Sequence, residues 1–264
     1  MNLEVLNQEV NAIVREVGSY IASQKDHLSS TDIDSKGIHD LVTFVDKRSE
    51  RMLIDQLSRL LPDSGFLVEE QTVENTGKEY TWIIDPLDGT TNFIHGLPAY
   101  SISIALMKGP GLIMGTVLDV EADECFHAWQ DGPAFLNDHI IAVSKTDTLG
   151  DSLLATGFPY SDFEQLDNYL ELLKYLMKNT RGIRRFGSAA IDLAWVACGR
   201  FDGFWEYSLK PWDVAAGSFI LKQAGGIVHD FKGGNNYLYG KEIVGGNPEI
   251  QQELLNLVKN FFNE

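Results

Sequence analysis

The sequence predicts an α+β first half, residues 1–143, and an α/β second half, residues 144–264, folded together as layered sheets and helices in one compact unit. Three observations predict it. Apolar residues recur at helical spacing at the start of the chain. Short apolar runs broken by turn residues fill Gly65 to Val143. From Ser144 onward, helical and strand-like patterns alternate.

Leu3, Leu6, Val10, Ile13, Val14, Val17 and Ile21 place one apolar stripe on a helix over residues 2–24. The polar stretch Lys25–Ile38 carries no pattern. Helical periodicity returns from Thr43 to Leu61 and stops at Pro62, Ser64 and Gly65. Apolar runs at 66–68, 82–84, 102–107, 112–120 and 125–129 are spaced like an antiparallel sheet, with Gly109-Pro110-Gly111 and Asp131-Gly132-Pro133 as turns. In the second half, helices are predicted over Phe163–Met177, Ser188–Cys198 and Trp212–Ala224, the last closed by Gly225-Gly226. Strands are predicted over Phe201–Trp205 and Ile227–His229. Asn247 as cap, Pro248 at the first position and Glu249 in the first turn start a final helix.

A chain of 264 residues that is 44% hydrophobic can bury a large core. Its net charge of -17 argues against a nucleic-acid partner, whose phosphates call for clustered Lys and Arg. Met1-Asn2-Leu3-Glu4 lacks the regions of a secretion signal, and no stretch approaches the ~18 apolar residues of a membrane span, so a cytoplasmic location without a membrane partner is expected. Cys125 and Cys198 are too few for a disulfide framework and have no zinc-site spacing.

Chemistry concentrates at Asp85-Pro86-Leu87-Asp88-Gly89-Thr90-Thr91-Asn92. Trp82-Ile83-Ile84 reads as a buried strand that Pro86 ends, leaving Asp85 at its edge with an extended backbone. Gly89, Thr90 and Thr91 then open a helix whose free N–H groups suit an anion. Alone, Asp88-Gly89-Thr90-Thr91 reads equally as a turn or a cap. Glu69-Glu70 ends the preceding strand, where a hairpin-like pairing would bring it beside Asp85, and Asp213 stands at another helix start. Carboxylates at several element ends suit a hard cation with oxygen ligands, whereas none of the six histidines pairs at zinc-ligand spacing. An acidic chain can hold a phosphate dianion only if cations reverse the local field.

The run Trp-Ile-Ile-Asp-Pro-Leu-Asp-Gly-Thr-Thr-Asn-Phe at 82–93 resembles the first signature of the inositol monophosphatase family, and Trp-Asp-Val-Ala-Ala-Gly at 212–217, with Ala224-Gly225-Gly226 behind it, resembles the second. Lys36 with Asp40-Leu41-Val42-Thr43 and Asp46, Glu69-Glu70, Gly132 to Asn137, Gly187-Ser188-Ala189-Ala190 and Glu206 agree with it, so the resemblance covers nearly the whole chain.

The resemblance implies the layered α/β/α/β/α sandwich of the sugar phosphatases, and a phosphoric monoester hydrolase. It implies two or three Mg²⁺ ions: the first held by Glu69, Asp85 and the Leu87 carbonyl, the second by Asp85, Asp88 and Asp213, a third near Glu69. The amides of Gly89 and Thr90 would receive phosphate. Glu69 and the Thr90 hydroxyl would orient and deprotonate water, and Asp88, Ser188, Ala189, Glu206 and Asp213 would contact the substrate. Lys36, Asp46 and Arg184 are further candidates. Val68, Val45 and Gln223 depart from the family pattern without removing a ligand.

The expected reaction is hydrolysis of a small phosphorylated metabolite, inositol monophosphate foremost. NADP, fructose 1,6-bisphosphate, histidinol phosphate and adenosine 3′,5′-bisphosphate are alternatives. Lithium sensitivity and a homodimer are implied by the same resemblance, and a metal-dependent regulatory protein without catalysis is the competing reading. The basic cluster Arg181, Arg184 and Arg185 reads as solvated surface, or as a contact for a second anionic group or a neighbouring subunit.

Overall fold

The computed structural model describes residues 1–25, 27, 33–37, 40–74, 78–160 and 162–262. Its outermost layer is a pair of packed helices, α1 (Leu3–Gln24) and α2 (Phe44–Leu60). Asn2 caps α1 through bonds from the amides of Glu4 and Val5, and the predicted apolar stripe of α1 is its buried face. A small antiparallel pair, β1 (Ile33–Gly37) and β2 (Asp40–Thr43), lies between them in sequence. The stretch read as patternless thus contains a strand at 33–37, while 26, 28–32 and 38 lie outside the described residues.

The second layer is a seven-stranded sheet in the order β3-β4-β5-β6-β7-β8-β9, formed by Gly65–Val68, Tyr80–Asp88, Ser101–Lys108, Gly111–Asp119, Glu124–Trp129, Ala134–Leu136 and His139–Ile140. It is buried on both faces. On β4, Trp82 and Ile84 pack towards α1 and α2, while Ile83 packs inward, as the two-residue period of a strand requires. Two expectations fail in its first strands. β3 pairs with β4 in parallel, Val68 opposite Ile84, so no hairpin joins them. Nor does Pro86 end β4: the ladder breaks after Asp85 and resumes at Asp88 opposite Ser101, leaving Pro86 and Leu87 in the irregularity. A bulge absorbs the missing proline donor without losing the strand.

The middle layer is α5 (Ala189–Ala197) and α6 (Pro211–Gln223). Both are buried nearly all round, as helices between two sheets must be. Small residues allow the close approach: a Cβ on Gly115 of β6 would lie 2.7 Å from the Ala216 carbonyl. Beyond it lies a five-stranded sheet in the order β11-β10-β12-β14-β13, formed by Gly182–Arg184, Leu153–Thr156, Gly203–Tyr207, Glu242–Gly246 and Ile227–His229. α4 (Leu166–Asn179) and α7 (Pro248–Phe262) cover its outer face, with Trp205, Tyr169 and Val258 in the intervening core. α4 begins later than its pattern predicts, because Asp162 accepts the Glu164 amide at 3.2 Å and holds a turn there. The result is the expected α/β/α/β/α sandwich. Among the described residues, no helix is long and apolar enough to cross a membrane.

Candidate active site

Parallel pairing of β3 with β4 carries the chain one residue further: the Glu69 amide donates to the Ile84 carbonyl at 3.3 Å, which sets Glu69 beside Asp85. Asp85 is 2% exposed, and its Oδ1 accepts the Leu87 amide at 2.9 Å across the bulge. The chain then turns through Gly89, whose φ of +92° places a hypothetical Cβ 2.8 Å from the Ala99 carbonyl; only glycine fits. The short helix α3 (Thr90–Ile94) follows. Asn92 ties it down by donating to the carbonyls of Ala99 and Phe186 at 2.8 and 2.7 Å.

The other acids arrive from the middle layer. Asp88 Oδ2 accepts the Ser188 hydroxyl at 2.6 Å and the Ala190 amide at 2.9 Å, so the end of β4 is docked on the start of α5. Asp213 is in the first turn of α6 and accepts the Lys210 amide at 2.7 Å, so it is both a cap and a member of the cleft. The cleft, about 520 Å³, is lined by Glu69, Asp85, Leu87, Asp88, Gly89, Thr90, Ser188, Ala189, Glu206 and Asp213 together.

Mutual repulsion dominates this wall. Burial and then the charges of Glu69, Asp88 and Asp213 push Asp85 well above the usual carboxylate range. Burial, then Asp88 and Glu69, do the same to Asp213. Asp88 is pushed up to about 6 by burial, held from rising further by the Ser188 and Ala190 bonds. Among the described residues, no three His, Cys, Asp or Glu side chains converge on one point at metal-ligand spacing. Chemistry carries the fit instead: an all-oxygen, like-charged set, with Asp85 buried and Glu69, Asp88 and Asp213 half-buried, is what a hard divalent cation relieves.

At the cleft's edge, Thr90 Oγ1 lies 2.9 Å from both Asp46 Oδ1 and the Leu87 carbonyl. Asp46 is 1% exposed; its Oδ2 accepts the Thr43 amide at 2.8 Å and the Thr43 hydroxyl at 2.6 Å, while the Val45 amide returns a bond to Thr43. Thr43-x-x-Asp46 is thus a capping box, and the same acid reaches Thr90.

Glu206 faces the far end of the cleft, pushed well above the carboxylate range by burial and then by Asp192. Asp192, on α5, was not singled out by its sequence: it is 1% exposed, lines the cleft, and its Oδ1 has no partner among the described residues. An acid in the apolar run Ala189–Ala197 was the available signal. Arg184 is exposed and does not line this cleft; Arg185 does, its guanidinium 5.3 and 5.5 Å from the ring centroids of Phe158 and Tyr160. Lys36 belongs to β1, but its side chain lies outside the described residues.

The sequence profile of the inositol monophosphatase family matches residues 1–261. The chain is 38% identical to the inositol-1-monophosphatase of Mesorhizobium japonicum over 97% of this chain and 96% of that one. It is 40% identical to the Nus factor SuhB of Escherichia coli K12, over 95% and 94%. The crystal structure of extragenic suppressor protein suhB from Bartonella henselae superposes with a TM-score of 0.90 at 38% identity, covering 94% of this chain and 96% of that one. With this span of matched sequence, the five-layered fold and the acids of Asp85–Asn92 gathered on one cleft, the chain belongs to the inositol monophosphatase family.

Proposed function

We propose that the protein is a Mg²⁺-dependent phosphatase that hydrolyses a small phosphate monoester, inositol monophosphate foremost, to alcohol and inorganic phosphate. The observation that carries this reading is the meeting of Glu69, Asp85, Asp88 and Asp213 in one cleft beside the Thr90–Asp46 pair. Glu69, Asp85, Asp88, Asp213 and the Leu87 carbonyl would hold the cations. Bound Mg²⁺ supplies the positive charge that admits a phosphate dianion and offsets charge developing on the leaving alcohol.

The remaining work falls to the chain. Thr90 Oγ1 donates to Asp46, which leaves its lone pairs to accept a proton from the attacking water; Asp46 in turn takes the hydroxyl proton. Glu69 orients that water from the opposite side. The amides of Gly89 and Thr90 meet the phosphoryl oxygens, and Glu206 and Ser188 meet the alcohol's hydroxyls. Phosphate release, with and without Mg²⁺, from inositol monophosphate, NADP, fructose 1,6-bisphosphate, histidinol phosphate and adenosine 3′,5′-bisphosphate tests the proposal. No Mg²⁺-dependent release from any of them would sink it. Lithium inhibition and a homodimer belong to the same reading, checked in that assay and by sedimentation.

A second reading is favoured by the relatives that carry the name Nus factor SuhB. In it, the protein also acts through a macromolecular partner, independently of turnover. Capture of such a partner by a variant without phosphatase activity would support it.

A further inference from the structure

Helix α2 carries a second buried acid one turn beyond Asp46. Glu50 is 0% exposed, and four-residue spacing sets it on the same face as Asp46. Its Oε2 accepts the Glu70 amide at 2.7 Å; its Oε1 accepts the Thr72 amide at 2.8 Å and the Thr72 hydroxyl at 2.7 Å. Three donors satisfy a group that would be costly to bury alone. Between them Gln71 adopts a φ of +50°, which turns the chain so that the amides on either side face the same carboxylate. This segment follows Glu69 directly, and the Glu69 amide is itself taken by the Ile84 carbonyl. The backbone at Glu69 is therefore gripped from two sides, by β4 and by α2.

We propose that Glu50 is a positioning residue for Glu69: by fixing residues 70–72 it presents the Glu69 carboxylate to the cleft beside Asp85. The inference rests on the metal-dependent reaction proposed above and extends it. One rigid helix sets both the partner of Thr90 and the loop behind Glu69, so the water-activating and cation-holding sides keep a fixed relation. Partners that orient a metal ligand from behind are typically worth about 10–100-fold in metal affinity.

The test is Glu50→Gln in the full chain, which puts an amide NH₂ among donors. The Mg²⁺ concentration for half the Mg²⁺-induced rise in Tm, and for half-maximal phosphate release, is expected to increase about tenfold. At saturating Mg²⁺, kcat falls by less than the midpoint rises, because bound Mg²⁺ holds Glu69 in place while it orients the attacking water. A merely structural Glu50 would lower Tm and leave the Mg²⁺ midpoint alone, and that result in folded protein overturns the proposal. Thr72→Val, which removes a single hydroxyl, should raise the midpoint roughly threefold, while Thr72→Ser should not. If Glu50→Gln does not fold, equal midpoints in these two variants overturn the proposal instead. If the unmodified protein shows no Mg²⁺-dependent rise in Tm, the metal-dependent reading fails, and this proposal falls with it.

Discussion

The Thr90 hydroxyl lies 2.9 Å from Asp46 Oδ1 across 44 residues of sequence, joining the first turn of α3 to the capping box of α2. The two residues should therefore respond differently to substitution. Thr90→Val removes only the hydroxyl, so kcat should fall by about 100-fold or more with little change in Tm. Asp46→Ala should show the same kinetic loss and also cost about 1 kcal/mol of stability, because the bonds it accepts from the Thr43 amide and hydroxyl, its half of the capping box, go with it. Steady-state kinetics with urea unfolding separates the effects; equal stability losses in both variants would contradict this assignment.

Asp88→Asn keeps the shape of the side chain docked on Ser188 and Ala190 and removes one charge from the cleft wall. Turnover should drop by at least two orders of magnitude while the chain stays folded, and the Mg²⁺-induced rise in Tm should shrink. The metal-free variant should melt no lower than the metal-free parent, since repulsion on Asp85 and Asp213 is relieved. Near-normal phosphate release would rule out the proposed role of Asp88.

Stability of the metal-free protein should depend on pH with a definite sign. Asp88 is pushed up to about 6 in the fold, against about 3.9 in an unfolded chain. A raised carboxyl favours the native state below its unfolded value, and that advantage is lost as pH climbs through its folded value. Asp85 and Asp213, raised in the same direction, add to the decline. Melting in EDTA should therefore fall from pH 4 towards neutrality, and added Mg²⁺ should restore most at the upper end. A metal-free Tm that climbs steadily over this interval would refute the electrostatic description of the cleft.

Gly157 faces Glu206 so closely that a Cβ there would overlap the Glu206 carboxyl group. In Gly157→Ala the acid must swing away from the cleft's far end. KM for inositol monophosphate should rise about tenfold, the worth of one charged hydrogen bond, with kcat little altered. An unchanged KM would mean that Glu206 does not meet the alcohol.

Much of this was legible in the sequence where the signal is local. The stripe from Leu3 to Ile21, the runs behind β4 to β7 and the strings around Asp85 and Asp213 each state their element within a few residues. What was hidden depends on partners far along the chain. β10 and β14 are short and lie within a doubly covered sheet, and β11 is a three-residue edge strand, so no alternation marks them. The parallel pairing of β3 with β4 does not announce itself, since the polar stretch 69–79 is long enough to return the chain in either direction. Arg184 ends β11 and Arg185 follows it, and only the fold shows which of the two reaches the cleft; Asp192 and Glu50 gain meaning only from what surrounds them once they are buried.

The shared middle layer has a consequence in time. Glu69, Asp85 and Asp88 are made early, but Ser188 and Ala190, which anchor Asp88, and Asp213, which completes the wall, come from α5 and α6. While a nascent chain lacks those helices, the inner face of the seven-stranded sheet is bare and its acids are wetted like any surface carboxylate. Such a chain has little reason to seize a cation or a substrate. The wall of the cleft is therefore complete only once α5 and α6 have packed against the seven-stranded sheet.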